Sequence, residues 1–382
     1  MAYNVQPGVI GAAIMPCVTG NERSLEEILY EVTQRALRDA GLTIDDIDGI
    51  VVAANDQYDG RAISVMAASG SVGGVDRDIL STPSAGEHAF VMGALRVASG
   101  QYRTQLVVAW SPTEAGSLSE VQRLAADPYF HRRLPLDEAG AHAMQATALL
   151  ATMPNLQAVA ERIAAKNRAN GAAAYPEFAA GAKAAAAVKA RWPLPPGQAP
   201  VVGAVALVLS SEAFARERSA PIAMIAGMGW ATEPAFLGDR DLTQAPALEA
   251  AAGQAYGEAA ITDPMGSFDV AEVADATPYQ ELLAYEALGL APRATWEQLV
   301  ADGTFGPGGK LPVNLSGGAI TLNPVYCTGM IRIAEIARQV LGRAGPHQLA
   351  GVKTGLAHAA SGDAMQYNTV VVLRRGQEGA AA

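Results

Sequence analysis

Pro312-Val313-Asn314-Leu315-Ser316-Gly317-Gly318, followed by Leu322-Asn323-Pro324-Val325-Tyr326-Cys327-Thr328-Gly329, is the stretch whose reading decides how this chain folds. Its glycines and its Asn-Pro pair mark two turns, since both residue types interrupt regular structure. The apolar residues between the turns read as a short hairpin. Beyond the second turn, Met330 to Leu341 carries apolar residues at helical spacing, so the turn opens into a helix.

Working outward, strands and helices alternate. Gly8-Val9-Ile10-Gly11 reads as a buried strand. A helix follows from Ser24 to Ala40, with Ser24 as N-cap, Glu27 at the capping-box position and Gly41 as terminator. Ile47 to Val52 is a second strand, and a helical pattern from Pro83 to Gly100 leads into the strand Leu106-Val107-Val108-Ala109. Ser111 to Gln198 is Ala-rich and mostly helical, and closes in Trp192-Pro193-Leu194-Pro195-Pro196-Gly197. The strand Ala204 to Leu209 returns to the sheet, and a second α/β unit spans Pro221 to Arg375. Alternation of this kind predicts an α/β sheet covered on both faces. The two halves echo each other: each has a Gly-containing turn opening a helix, then a break, then a β-branched strand.

Bulk properties narrow the function classes. The 382 residues suffice for two core-bearing units, and with 50% hydrophobic and 17% charged residues the chain suits a well-buried globular protein. A net charge of -11 argues against nucleic acid, whose phosphates need a basic surface. Two cysteines, Cys17 and Cys327, make neither a disulfide framework nor a zinc site, so no metal is expected. The N-terminus has no basic-then-apolar secretion pattern, and runs such as Val201 to Leu209 are too short to span a bilayer. A cytoplasmic location is the expectation.

The opening stretch also resembles, without gaps, the asparagine-x-x-Gly-Gly and Gly-His-Pro-x-Gly-Ala-Thr-Gly segment of thiolases, in the sterol-carrier-protein type. Lys166-Asn167-Arg168-Ala169-Asn170-Gly171 is similar to the Lys-Asn-x-x-Asn-Gly run of that branch, and Gly306 to Asn314 and Asp269-Val270-Ala271-Glu272-Val273 match it further. The resemblance covers nearly the whole chain. It implies a duplicated five-layered α-β-α-β-α fold: residues 1–110 as the N-terminal half, 111–198 as a helical loop domain over the active site, 199–220 as a return strand, and 221–382 as the C-terminal half. It also implies coenzyme A thioesters as substrates with no tightly bound cofactor, and contact to them from Ser316, Gly317 and Gly318.

The thiolase chemical groups are largely replaced. A thiolase needs a cysteine at a helix N-terminus, where the dipole favours the thiolate. Aligned on Gly86 and Ala98-Ser99-Gly100, that place falls on Pro83, or on Ser84 with a loop one residue shorter. Ser84 would need a base, which His88 offers one helical turn on; the alternative makes Ser84 an N-cap and His88 a packed residue. A His-Asp-Cys-Phe motif corresponds to Ala274-Asp275-Ala276-Thr277, leaving Asp275, which also reads as the cap of the helix after Pro278. The histidine of the last turn is Asn323, whose N–H either supports an oxyanion or braces the turn. His358 matches the C-terminal Gln-His-Asn-x-Gly segment. Tyr279 and Tyr326, the latter at a family glycine, either fill volume or move protons.

Without a thiolate, covalent Claisen chemistry lacks its acyl carrier. A retro-aldol cleavage needs a base for the β-hydroxyl and donors for the enolate, but no nucleophile. A cysteine-less branch of this family, the steroid side-chain-cleaving aldolases, has made that switch and works with a small zinc-ribbon/OB-fold partner. The expectation is therefore an acyl-CoA lyase of retro-aldol type, with Tyr326, Tyr279 or His358 as base and Asn323 as enolate donor. The alternatives are a non-catalytic acyl-CoA-binding subunit and an acyltransferase using Ser84. A homodimer is expected, pairing along Leu106 to Trp110, whose two apolar faces would make a poor free edge.

Overall fold

A computed structural model describes residues 5–16, 23–60, 62–111, 118–177 and 201–376. Among these, nine strands form one sheet in the order β3-β2-β4-β5-β1-β6-β9-β8-β7. The strands are β1 Pro7–Met15, β2 Gly49–Ala53, β3 Asp78–Thr82, β4 Thr104–Trp110, β5 Ala204–Ser211, β6 Ala223–Thr232, β7 Val270–Glu272, β8 Thr354–Ser361 and β9 Tyr367–Arg375. Seven described helices reach ten residues: α1 Leu25–Ala40, α2 Gly86–Ala98, α3 Glu138–Thr152, α4 Leu156–Ala174, α5 Pro246–Ala259, α6 Pro278–Ala287 and α7 Thr328–Leu341.

The sheet is two copies of one pattern joined edge to edge. In the first, β3 and β4 pair parallel with β2, and β5 pairs antiparallel with β4 and β1. In the second, β8 pairs parallel with β7, and β9 pairs antiparallel with β8 and β6. A parallel bridge from Ala271 to Val313 stands where β3 stands in the first copy. Even the register break repeats, between Val9 and Gly11 in β1 and between Ile225 and Gly227 in β6. Between the copies, the strand pairing among the described residues is Gly8↔Met224 and Val9↔Ala223.

Strand periodicity builds the layers. Along β4, Leu106, Val108 and Trp110 face the core under α1, while Val107 and Ala109 face α2. Along β8 and β9, Leu356, Val370 and Val372 lie on one side and Ala357 and Val371 on the side of α7. Helices α2 and α7 touch each other between the two sets of strands, with α1 and α5 outside, which makes five layers. α1 starts and stops as its sequence predicts: Ser24 accepts from the Glu27 N–H, Glu27 returns the capping box, and Gly41 takes φ 67°.

Two expectations are corrected. Residues Gly318–Thr321 form one helical turn, not a hairpin. The strand Leu106 to Trp110 lies between β2 and β5, so its apolar faces are covered by helices and the free edge of the first copy is β3.

Candidate functional site

The Asn314-to-Gly318 turn is a packing device. Gly317 and Gly318 adopt φ 93° and 64°. A Cβ on Gly317 would sit 2.4 Å from Gly171 Cα, and one on Gly318 would sit 2.0 Å from an Asp275 carboxylate oxygen. The α4 run Lys166-Asn167-x-x-Asn170-Gly171 grips this turn. Lys166 pairs with Glu281 at 2.8 Å and donates to the Val313 carbonyl at 2.8 Å; Asn167 donates to Asp275 and Glu281 at 2.8 and 2.6 Å; Asn170 donates to the Asn314 carbonyl at 3.0 Å. Asp275 also accepts the Ala319 N–H at 2.7 Å, and burial with the nearby Glu281 charge pushes its carboxyl up to about 7. The cap of α6 is Thr277, which accepts from Gln280 at 3.3 Å, rather than Asp275. Ser316 bonds Glu272 through its hydroxyl at 2.7 Å and its N–H at 2.9 Å. Ser316, Gly317 and Gly318 are therefore buried under the loop domain and do not line the neighbouring cavity.

That cavity, of about 440 Å³, opens where α2 and α7 begin. The Gly86 N–H donates to the Tyr326 carbonyl at 2.8 Å, tying the two helix starts together. Its roof comes from the loop domain, from Leu118 to Gln122, Asp137 to His142 and Arg168; its walls include Ala274 to Pro278, Asn323 and Val325, and Thr328, Gly329 and Arg332. Thr328 Oγ1 donates to the Pro324 carbonyl at 2.9 Å and lies 3.3 Å from the Asn323 amide. Tyr326 sits at φ 77°, a backbone state that suits the glycine it replaces and strains a tyrosine. Its ring lines the cavity and stacks on Tyr58 at 5.2 Å. Its buried hydroxyl lies beside Asn55. Burial pushes the Tyr326 phenol up, which keeps it protonated near neutral pH and unfit to act as the resting base.

Residues 230–375 match the thiolase C-terminal domain-like family. The chain is similar to human sterol carrier protein 2, at 33% identity over 163 residues, 41% of this chain and 29% of that protein. It is similar to an acetyl-CoA acetyltransferase of Methanothermobacter thermautotrophicus at 32% over 162 residues, 42% of each. These matches span less than half the length of either relative. Among solved structures, the Ltp2-ChsH2(DUF35) aldolase superposes with a TM-score of 0.76 at 21% identity, over 97% of this chain and 98% of that one. Residues 230–375 belong with the thiolase C-terminal domain-like family, and the chain as a whole has the thiolase fold. Its duplicated sheet with paired central helices matches that fold.

Set against that fold, the anticipated chemical groups scatter. Ser84 Oγ and His88 Nδ1 lie 2.5 Å apart, so the dyad geometry exists, but neither residue lines the cavity, and the N-cap of α2 is Ala85. Tyr279 is 1% exposed, packed in the core of the C-terminal half with Leu282, Leu283 and Trp296. His358 is fully buried on β8, with Nε2 3.2 Å from Asn368 Oδ1, and burial lowers its pKa to about 4. Tyr279 and His358 are thus away from the site that the resemblance proposed for them. Cys327 is buried; its thiol donates to the Pro324 carbonyl at 3.2 Å and is pushed up to about 12, so it holds no thiolate. Cys17 lies outside the described residues, as does the proline-rich close of the loop domain.

Other groups occupy the cavity. Glu87, second residue of α2, is 1% exposed, and neither of its carboxylate oxygens has a hydrogen-bond partner among the described residues. Glu138 accepts from Gln122 at 2.7 Å, and burial together with the Asp363 charge raises it to about 7, although 30% of its side chain stays exposed. His142 Nε2 is 4.0 Å from Glu138, and burial lowers it to about 4, so it is a neutral imidazole near neutral pH. Glutamates in the first turn of a helix are ordinary complements to its dipole, so nothing in the sequence distinguishes Glu87 or Glu138. Among the described residues no cluster could hold a metal ion, and no helix is long and apolar enough to cross a membrane.

Proposed function

We propose that this thiolase-fold protein cleaves the Cα–Cβ bond of a β-hydroxyacyl-CoA by a retro-aldol reaction. The observation that carries the reading is the content of the cavity: carboxylates and an amide, with Pro83 or Ser84 where the resemblance puts the thiolase cysteine and Asn323 where it puts a histidine. A retro-aldol step forms no acyl-enzyme. It requires a proton acceptor and a donor to the thioester oxygen as enolate charge develops. The Asn323 side-chain amide, on the cavity wall, is that donor. The likeness of fold to the Ltp2-ChsH2(DUF35) aldolase supports the reading. The same proposal includes a homodimer and a small zinc-ribbon/OB-fold partner, both read by light scattering of the chain alone and co-expressed with such a partner.

The test incubates the full chain with a panel of β-hydroxyacyl-CoA thioesters and follows release of an aldehyde or ketone with the shortened acyl-CoA. Asn323→Ala should lower turnover by about 10²–10³-fold, the range for one oxyanion donor. Thiolysis of a β-ketoacyl-CoA, without any cleavage of the hydroxy compounds, would overturn the proposal. A second reading, a binding subunit without chemistry, draws on the distance of Tyr279 and His358 from the cavity. It predicts acyl-CoA binding with no turnover on any of the panel.

A further inference from the structure

We propose that Glu87 receives the β-hydroxyl of the substrate and takes its proton; the base role rests on the lyase reading above, the hydroxyl contact does not. A buried carboxylate without hydrogen bonds is costly, and its presence in a folded protein calls for an occupant to complete it. Glu87 is such a group: 1% exposed, both oxygens unpartnered among the described residues, and part of the cavity lining. It stands in the first turn of α2, at the mouth shared by the two helix starts. The opposing helix makes room for it, because a Cβ at Gly329 would stand 2.4 Å from Glu87 Oε2. Asn323 and Thr328, on the turn leading into that opposing helix, line the same cavity. The acceptor and the enolate donor therefore approach one substrate from two helix starts.

The step balances without a co-reactant. Glu87 takes the hydroxyl proton, the O–H electrons form the carbonyl, and the Cα–Cβ bond breaks toward the thioester. The enolate held by Asn323 is then protonated at Cα by the Glu87 carboxylic acid. The products are an aldehyde or ketone and the shortened acyl-CoA, and Glu87 returns to the carboxylate.

Calorimetry compares short- to long-chain β-hydroxyacyl-CoA thioesters with their counterparts lacking the hydroxyl. A hydrogen bond to a charged acceptor predicts that the wild-type chain favours the hydroxy compound by about 10- to 100-fold. Glu87→Met keeps the side-chain length without polar atoms and should bring that ratio close to one. Glu87→Gln keeps a hydrogen-bonding group but no base, and should cut turnover by about 10²–10⁴-fold with little change in KM. Both variants should stay folded, which circular dichroism checks. No preference for the hydroxyl across the panel, or a preference unchanged in Glu87→Met, overturns the contact. Cleavage by Glu87→Gln at the wild-type rate overturns the base role alone. A wild-type chain that prefers the hydroxyl yet cleaves nothing sinks the lyase reading and leaves Glu87 as the hydroxyl receptor.

Discussion

The two halves of the molecule share one topology and stabilise it by different chemistry. In the N-terminal half, β2 is Gly-Ile-Val-Val-Ala, entirely buried and apolar, and β4 holds no titratable side chain. In the C-terminal half, β7 ends in Glu272, which pairs with Arg332 of α7 at 2.8 Å with both side chains almost fully buried, and β8 carries His358. Burial outweighs the attraction of Arg332 and raises the Glu272 carboxyl, so this pair is a constrained contact more than a source of stability. The same asymmetry marks the helix starts. α2 brings a carboxylate to the cavity, and the turn before α7 brings an amide, while Gly329 provides the space that the carboxylate fills. Duplication supplied the frame, and divergence of the copies supplied unlike groups on facing sides of one cavity.

The largest expected effect tests the ionic contrast. Glu272→Gln leaves the Arg332 charge buried without its counter-ion and should cost about 3–5 kcal/mol in urea unfolding. Val52→Ala in β2, a cavity substitution of the apolar half, should cost about 2 kcal/mol. If Glu272→Gln proves the milder of the two, the contrast between the halves fails.

The next effect is acid sensitivity. His358 has a folded pKa of about 4 against 6.5 for a free histidine. A depressed histidine contributes stability that is present above its unfolded pKa and lost as pH falls from about 6.5 through 4, on the order of 3 kcal/mol. Glu138 and Asp275 act in the opposite sense: both are raised to about 7, so their contribution is present in acid and lost as pH rises toward 7. His358→Gln should therefore flatten the acid limb of the stability curve. Hydrogen exchange below pH 6.5 should open β8 and β9 before β2 and β4. Simultaneous loss of protection in both halves would show that the C-terminal half is no more acid-sensitive.

The smallest effect reads the packing of the helix starts. At Gly329 a Cβ meets Glu87 Oε2 at 2.4 Å and Ala359 Cβ at 2.7 Å; at Gly86 it meets Ala109 Cβ at 2.8 Å and Met330 Cβ at 2.9 Å. Each glycine-to-alanine change should cost about 1–3 kcal/mol by overpacking. In a Glu87→Ala background the Gly329→Ala cost should fall, whereas the Gly86→Ala cost should not, because only the first obstacle is a removable side chain. Additive costs at Gly329 would mean that Glu87 does not fill that space.

Local signals carried the frame. The Ser24–Glu27 capping box and Gly41 fixed α1 because capping is settled within a few residues. The strand-helix alternation and the weak echo between halves anticipated the repeated topology, since side-chain period and turn residues are local properties. The Lys166-to-Gly171 motif was legible as a family mark, but its purpose was not: its partners Asp275, Glu281 and Val313 lie more than a hundred residues on.

The sequence by itself determined that no cysteine or histidine stands at Pro83, Ser84, Ala274 or Asn323, the positions that the thiolase resemblance marks, because identity at a position needs no geometry. It could not determine which remaining groups meet. Tyr279 and His358 sit at suggestive motif positions, yet their side chains turn into the core, because strand and helix phase decides the direction of a side chain. Tyr326 lines the cavity, but the stack on Tyr58 and the burial of its hydroxyl beside Asn55 hold its phenol protonated. Glu87 looked like any first-turn glutamate until the start of α7 was packed against it. Only the tertiary structure decided that it is buried, unpartnered and faces the cavity, because burial and hydrogen-bond satisfaction are set by neighbours distant in sequence.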